Sequence, residues 1–236
     1  MITDREVLLS ILKLTEGGKP TTVEAVIRSS RVPSQSVYEA VERLVEENLI
    51  EVTDGTIEIT GELRLRAAVK AIKMGVDLER VCNLLTWAEF EDLSALAFEM
   101  SGFSVRRGLR FRWSGRRWEV DILAWMGETV ISVDCKHWRR NWRRSAIIRI
   151  VEAHIGRTKA LAEALPIKGV TMNMRGRFVV VPVILSLIPG PLKFHMGVPI
   201  VPILQLRDFI SEMPAHIGSM KHFTRVIRGI PDEVGQ

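Results

Sequence analysis

Apolar residues recur every third or fourth position along the first hundred residues, and at alternate positions or in short unbroken runs after that. The first spacing predicts helices and the second predicts strands. "REVLLSILKLT" (5–15) reads as a helix stopped by "GGKP" (17–20). "TTVEAVIRSS" (21–30) reads as a short second helix with Thr at its start. "VPSQSVYEAVERLVEENLI" (32–50) reads as a third, with Ser34 as its cap and Val37, Val41, Leu44 and Val45 on one apolar face. "IEVTDGTIEIT" (50–60) reads as two strands around an Asp54-Gly55 turn. A helical connector over 61–86 includes a segment ending at Gly75, and a new helix starts after Thr86 and ends at Gly102. Strands are expected at 103–112, 117–125 and 130–137, followed by a long helix at about 145–165. Strands at 177–188 and 198–204 and a closing helix at 205–213 complete an α/β chain.

The three helices and hairpin of residues 1–60 resemble a winged helix-turn-helix module. That resemblance would put the third helix in a DNA major groove. Yet this helix carries Glu39, Glu42, Glu46 and Glu47 against a single Arg43, so phosphate repels it. DNA reading and docking of a protein partner both stay open for this module.

Composition changes the picture in one respect. Residues 1–60 hold six Lys/Arg and eleven Asp/Glu, and the remainder holds 27 and 17. The densest basic stretch is 103–144, with eleven basic and four acidic residues, and all six tryptophans lie between Trp87 and Trp142. Such a field attracts polyanions, DNA above all. The apolar stretch from Phe178 to Leu204 is long enough to span a bilayer, but Pro182, Pro189, Gly190, Pro191, Lys193 and His195 cut it into strand-sized pieces. No membrane association is expected. Cys82 and Cys135 offer neither a disulfide framework nor a zinc spacing, and no secretory leader opens the chain, so a cytoplasmic protein is expected.

The chemistry concentrates in "WEVDILAW" and "TVISVDCK", which flank Met126-Gly127-Glu128-Thr129. Gly at the first central position suits a two-residue type II′ hairpin. Met126 then faces Thr129, and Asp121 faces Asp134 on one sheet face, with Lys136 two residues beyond. Opposed carboxylates destabilise a hairpin unless something sits between them. A hard divalent cation is one answer. Pairing of Lys136 with Glu119, or a slipped register that separates the aspartates, is the other.

Asp121 followed by Asp134-Cys135-Lys136 on the next strand resembles the PD-(D/E)xK nuclease signature. "WAEFEDLSALAFEMSGFSV", "VDILAW" and "VDCKHW" resemble more narrowly its Mrr-type restriction endonuclease-like branch, over about 87–212. The resemblance implies a restriction endonuclease-like core, a mixed central sheet flanked by helices, over 87–215. The 1–60 module and the 61–86 connector precede it, and a tail over 216–236 follows. It also implies a Mg²⁺-dependent DNA endonuclease, with Mn²⁺ as a substitute, working as a homodimer. Asp121, Asp134, the Cys135 carbonyl and Glu91 match the metal-binding positions, with Glu89 as a substitute for Glu91. Lys136 matches the lysine that acts on the attacking water. Val120 stands where the family has Pro. No clear Q-x-x-x-Y element follows Lys136; Glu152, His154 and Arg157 occupy that region.

DNA contacts are expected from Arg106, Arg107, Arg110, Arg112, Arg116 and Arg117, and from Arg139, Arg140, Arg143 and Arg144 with Trp138 and Trp142 between them. Trp125 is expected in the core. His137, His154 and His195 are expected to be structural or phosphate-contacting. The rival functions are a non-catalytic DNA-binding or regulatory protein on the same fold, and a structure-specific junction resolvase.

Overall fold

In a computed structural model, residues 2–137, 143–167 and 176–227 are described, and the chain forms two compact units, Met1–Leu93 and Ser94–Gln236.

The first unit contains helices α1 (Ile2–Leu14), α2 (Val23–Ser30), α3 (Ser34–Glu46), α4 (Gly61–Lys73) and α5 (Leu78–Cys82). Strands β1 (Thr21–Thr22), β2 (Glu51–Thr53) and β3 (Thr56–Glu58) make a small sheet in the order β1-β3-β2. Local chemistry sets these boundaries. Thr22 caps α2 by accepting the Ala25 N–H at 3.2 Å. Asp54 and Gly55 both adopt positive φ, as a tight hairpin between β2 and β3 requires. α3 departs from expectation in two details. Pro33 occupies the cap position, so Ser34 is the first helical residue and makes no cap bond. The buried face is Val37, Ala40, Val41 and Leu44, while Val45 is 39% exposed, because it falls one position past the helix stripe. The connector is two helices, α4 and α5, and α4 packs on α1 within this unit.

Helix α6 (Trp87–Met100) spans the division between the units. Its start is a capping box: Thr86 Oγ1 accepts the Glu89 N–H, and Glu89 Oε2 accepts the Thr86 N–H at 2.7 Å.

The second unit is mixed α/β, with a central mixed sheet flanked by helices. Its strands are β4 (Ser104–Trp113), β5 (Arg116–Met126), β6 (Thr129–Lys136), β7 (Gly176–Ser186), β8 (Phe194–His195), β9 (Val198–Pro202) and β10 (Phe223–Ile227). The sheet order is β4-β5-β6-β7-β9-β8. β4, β5 and β6 are antiparallel neighbours, whereas β6, β7 and β9 run parallel. β10, in the segment read as a tail, pairs antiparallel with the first half of β7, and β9 pairs with its last residues. Helix α7 (Arg144–Ala164) covers one face of the sheet, burying Ala160, Leu161 and Ala162 against Val130, Phe178 and Val180. Helix α8 (Leu206–His216) follows β9. The apolar Phe178–Leu204 stretch is divided among β7, β8 and β9. Among the described residues no helix is long and apolar enough to cross a membrane.

Candidate active site

The β5–β6 hairpin has the register its turn predicts. Met126 faces Thr129, and the ladder continues to Ile122 opposite Val133. Gly127 carries the positive φ of 55° that the turn needs. The next step differs from a plain ladder. Cys135 N–H donates to Asp121 Oδ2 at 2.8 Å, and no Asp121–Asp134 backbone pair follows. On the other side of β5, the β4 register places Gly108, at φ 56°, across from Asp121, and again no pair forms. The inward alternation also slips here: Trp118 and Val120 share an apolar cluster with Leu123 and Trp125. Asp121 therefore sits at a local irregularity of both ladders, one that turns its carboxylate toward the end of β6.

Asp134 is 3% exposed, near the end of a strand that is buried along most of its length. Its two oxygens meet two cations. Lys136 Nζ lies 2.6 Å from Oδ2, and Arg157 Nη1 donates to Oδ1 at 2.5 Å. Lys136 thus pairs with Asp134 and not with Glu119, which pairs with Arg110 at 3.2 Å. Lys136 Nζ also donates to the Cys135 carbonyl at 3.3 Å. Three residues before Arg157 on α7, the fully buried His154 places Nε2 2.8 Å from the Ser132 carbonyl. Among the described residues its Nδ1 has no hydrogen-bond partner, and neither do the buried hydroxyls of Ser132 and Thr158.

The electrostatics separate the two aspartates. Burial pushes the Asp121 carboxyl above the usual carboxylate range, and the neighbouring Asp134 charge adds to this. The Cys135 N–H, Lys136 and Arg157 pull it back only in part. For Asp134, burial also acts upward but is outweighed by His154, Lys136 and Arg157, so its carboxyl lies below the usual range. Burial drives His154 down to about 4, so the imidazole is neutral at pH 7. At that pH the cations that hold Asp134 ionised are Lys136 and Arg157.

The structure thus brings Asp121, Asp134, the Cys135 backbone and Lys136 together, and adds Arg157 and His154 from α7. Those two were visible in the sequence only as occupants of the region after the D-x-K strand. Glu91 lies on α6 in the first unit, where it accepts a hydrogen bond from Trp87 Nε1. Glu89 is committed elsewhere: it is buried and ion-paired to Arg64 Nε at 2.6 Å. Among the described residues no three His, Cys, Asp or Glu side chains converge as a metal cage would require. The oxygen donors on hand are two carboxylates and the Cys135 carbonyl. That is a hard-donor set of the kind Mg²⁺ uses, because Mg²⁺ keeps several waters and takes one or two carboxylates. A cation, the Lys136 ammonium, already bridges the Asp134 carboxylate and the Cys135 carbonyl. Cys82 and Cys135 are both buried free thiols.

Arg106, Arg107, Arg110 and Arg112 are exposed on β4, as are Arg116 and Arg117 on β5 and Arg143 and Arg144 at the start of α7. Trp138, Arg139, Arg140 and Trp142 lie outside the described residues. Trp125 packs against the core as expected.

No family model matches the chain. It is 29% identical, over 130 residues, to an uncharacterized protein of Archaeoglobus fulgidus; the match covers 55% of this chain and 92% of that one. The crystal structure of protein VC1899 from Vibrio cholerae overlaps 92% of this chain and 51% of its own, at 9% identity and a TM-score of 0.42. The crystal structure of AF1548, a protein of unknown function, overlaps 43% and 47%, at 13% identity and a TM-score of 0.32. The chain therefore spans about half the length of each of these two solved proteins.

Proposed function

We propose that the second unit is a restriction endonuclease-like core that hydrolyses DNA phosphodiester bonds with Mg²⁺ or Mn²⁺. The observation that carries this reading is the meeting of Asp121, Asp134 and Lys136 around the Cys135 backbone at the end of two paired strands. Asp121, Asp134 and the Cys135 carbonyl would hold the ion, which supplies Lewis acidity toward a phosphoryl oxygen and attacking water. Asp121 resists ionisation because it is half-buried beside Asp134, so cation binding and loss of its proton are coupled. Arg157 keeps Asp134 charged and ready to take a cation. Lys136 is half-buried at the strand end, where its ammonium can leave Asp134 for a phosphate and stabilise charge that builds in the transition state. The exposed arginines of β4, β5 and the start of α7 supply backbone contacts.

A second reading has one specific observation in its favour. Both Asp134 oxygens are already neutralised by protein cations, as in a structural ion-pair network on a non-catalytic DNA-binding platform. Incubation with supercoiled, linear, single-stranded and branched DNA in Mg²⁺, Mn²⁺ or EDTA separates the two. Metal-dependent cleavage lost on Asp121→Asn supports the nuclease; DNA binding without cleavage under every condition supports the platform.

The first unit is read as a winged-helix-like module that docks a protein. The outward face of α3 carries the exposed Glu39, Glu42 and Glu46, and Arg43 is tied to Asp4 at 2.5 Å, so this face is a poor match for phosphate; Glu47, just past the helix, pairs with Lys70 at 2.9 Å.

A further inference from the structure

Strand β5 and helix α7 border a cleft of about 410 Å³. Arg116 and Trp118 line it from the strand, and Glu152, Ala153, Gly156 and Arg157 line it from the helix. Trp118 and Val120 pack into the cluster that α7 covers, so this is the α7 side of the sheet. Arg117 and Glu119 also border the cleft, but alternation turns their side chains to the other side of the sheet, where Glu119 pairs with Arg110. The candidate carboxylates share the α7 side, because Arg157 holds Asp134. The cleft therefore opens beside that site and on the same side of the sheet.

Its size limits what enters. The volume equals that of a cube roughly 7 Å on a side, whereas the major groove alone of a duplex is about 12 Å wide. A duplex stays outside and a single nucleotide fits. One wall offers a flat aromatic surface. The Trp118 indole N–H donates to the Trp113 carbonyl at 3.4 Å, and the exposed Arg116 guanidinium lies 4.6 Å from the ring centroid. An indole face that already takes one flat group from the cleft side suits a nucleobase in its place. On the opposite wall Ala153 and Gly156 keep the helix surface low, and a Cβ on Gly156 would meet nothing within 4 Å. Arg157 gives one N–H to Asp134 and has others to offer a phosphate. Glu152 is exposed, and among the described residues no cation lies within ion-pair distance of it. A bare carboxylate repels phosphate, but it accepts from the exocyclic amine of a base, as acidic side chains do from cytosine.

We propose that the cleft between β5 and α7 is a slot for one unpaired nucleotide, with its base stacked on Trp118, its amino edge at Glu152 and its phosphate on Arg157. Arg116 swings off the ring to admit the base. The slot names a substrate class for the nuclease reading, on which it rests for the place of the reacting phosphate. That class is DNA with an unpaired nucleotide close to the cut, as in a tailed, gapped or branched duplex. A strand rises about 3.3 Å per residue, so Trp118, three residues from Asp121, lies roughly 10 Å along β5 from it. One strand of a duplex advances about 3.4 Å per nucleotide and an unstacked strand advances more. The stacked base therefore lies within about three nucleotides of the reacting phosphate.

The test uses the full-length protein in EDTA, where binding is read without cleavage. The probes are a fluorescent duplex, blunt or with a short single-stranded tail of either polarity, and the tail carries 2-aminopurine, cytosines or thymines. The parent should bind the tailed duplex roughly 5- to 150-fold more tightly than the blunt one, the range that one base–aromatic stack gives. It should also quench the 2-aminopurine. Trp118→Leu should lose both effects, and Trp118→Phe should keep part of both, which separates stacking from a loss of folding. Glu152→Ala should keep the preference for a tail but lose a preference for cytosine over thymine in it. Equal affinity of the parent for tailed and blunt duplexes, or a tail preference that survives in Trp118→Leu, overturns the slot. A parent indifferent to cytosine or thymine overturns the role of Glu152. Cleavage with Mg²⁺ is scored separately. A parent that fails to cut but shows the Trp118-dependent tail preference removes the nuclease and supports the slot. A parent that cuts, without that preference, overturns the slot alone.

Discussion

Asp121 Oδ2 accepts the Cys135 N–H at 2.8 Å, so a side-chain carboxylate stands in the β5–β6 ladder where a main-chain carbonyl would ordinarily be. The hydrogen bond fixes Asp121 beside Asp134 without relieving its charge. Burial and the Asp134 charge both raise its carboxyl, so its proton is held more tightly in the folded chain than in the unfolded one.

This sets the sign of a first prediction. A carboxyl raised on folding contributes stability that is present below its unfolded value of 3.8 and is lost as pH rises through the folded value. Asp121→Asn keeps an oxygen for the Cys135 N–H and removes the charge. In EDTA at neutral pH it should be more stable than the parent by about 1 kcal/mol. Chemical denaturation at pH 7 and at pH 3 checks this: the gain should shrink at the lower pH. A variant less stable at pH 7 would show that the Asp121 charge is already compensated.

Asp134 should behave in the opposite way. Its carboxyl is lowered, because Lys136 and Arg157 outweigh burial at neutral pH, so its contribution is present above 3.8 and lost as pH falls through the folded value. Asp134→Asn strands two cations and should cost roughly 2 kcal/mol in EDTA. Mg²⁺ should raise the Tm of the parent and hardly move that of the variant, because a ligand stabilises only the state that binds it. Identical Mg²⁺ responses would mean that Asp134 holds no metal.

Lys136 competes with any metal for Asp134 and the Cys135 carbonyl. Lys136→Ala should therefore bind Mn²⁺ more tightly, read by paramagnetic titration, while cleavage falls by about 10²–10³-fold. DNA affinity should fall little. Full cleavage by this variant would remove Lys136 from the mechanism.

The legible parts of the fold were those governed by local rules. Gly127 set the hairpin register, Thr86 marked the start of α6, and the broken apolar run from Phe178 became β7, β8 and β9. The slip at Asp121 was not legible, because it depends on both neighbouring ladders and on Gly108 across the strand. Arg157 was seen in the sequence, but its partner was not. It meets Asp134 only because α7 crosses the sheet face, a contact 23 residues long in sequence. The boundary after residue 60 was drawn at a change of pattern, whereas the compact unit runs to Leu93, since Arg64 and Glu89 tie α4 to the start of α6.

That tie makes a prediction of its own. Arg64 is fully buried and donates to Glu89, to Thr15 Oγ1 and to the Leu12 and Leu84 carbonyls. Arg64→Ala removes the cation paired with the buried Glu89 carboxylate, whose Oε2 keeps only the Thr86 N–H, and takes a donor from the Leu12 and Leu84 carbonyls; it should cost about 3–5 kcal/mol. Arg64→Met with Glu89→Gln should recover part of that loss. A cost below about 1 kcal/mol, as for an exposed pair, would show that water reaches this cluster.

His154 gives the acid limb of stability. It is fully buried, its Nε2–H serves the Ser132 carbonyl, and among the described residues its Nδ1 has no partner to accept from. Burial outweighs the attraction of Asp134 and brings its value down from 6.5 to about 4. The unfolded chain therefore binds a proton between pH 6.5 and about 4 that the folded chain refuses. The stability contributed by neutral His154 is complete above pH 6.5 and is lost as pH falls toward 4. At about 1.4 kcal/mol per pH unit, the loss over that window is about 3 kcal/mol. His154→Gln keeps a donor for Ser132 and cannot titrate. It should start less stable at pH 7, by about 1 kcal/mol for the poorer fit, and then lose much less between pH 6.5 and 4. The two curves should cross in that window. Parallel curves from urea denaturation across this range would place the acid sensitivity on another group and leave His154 as packing alone.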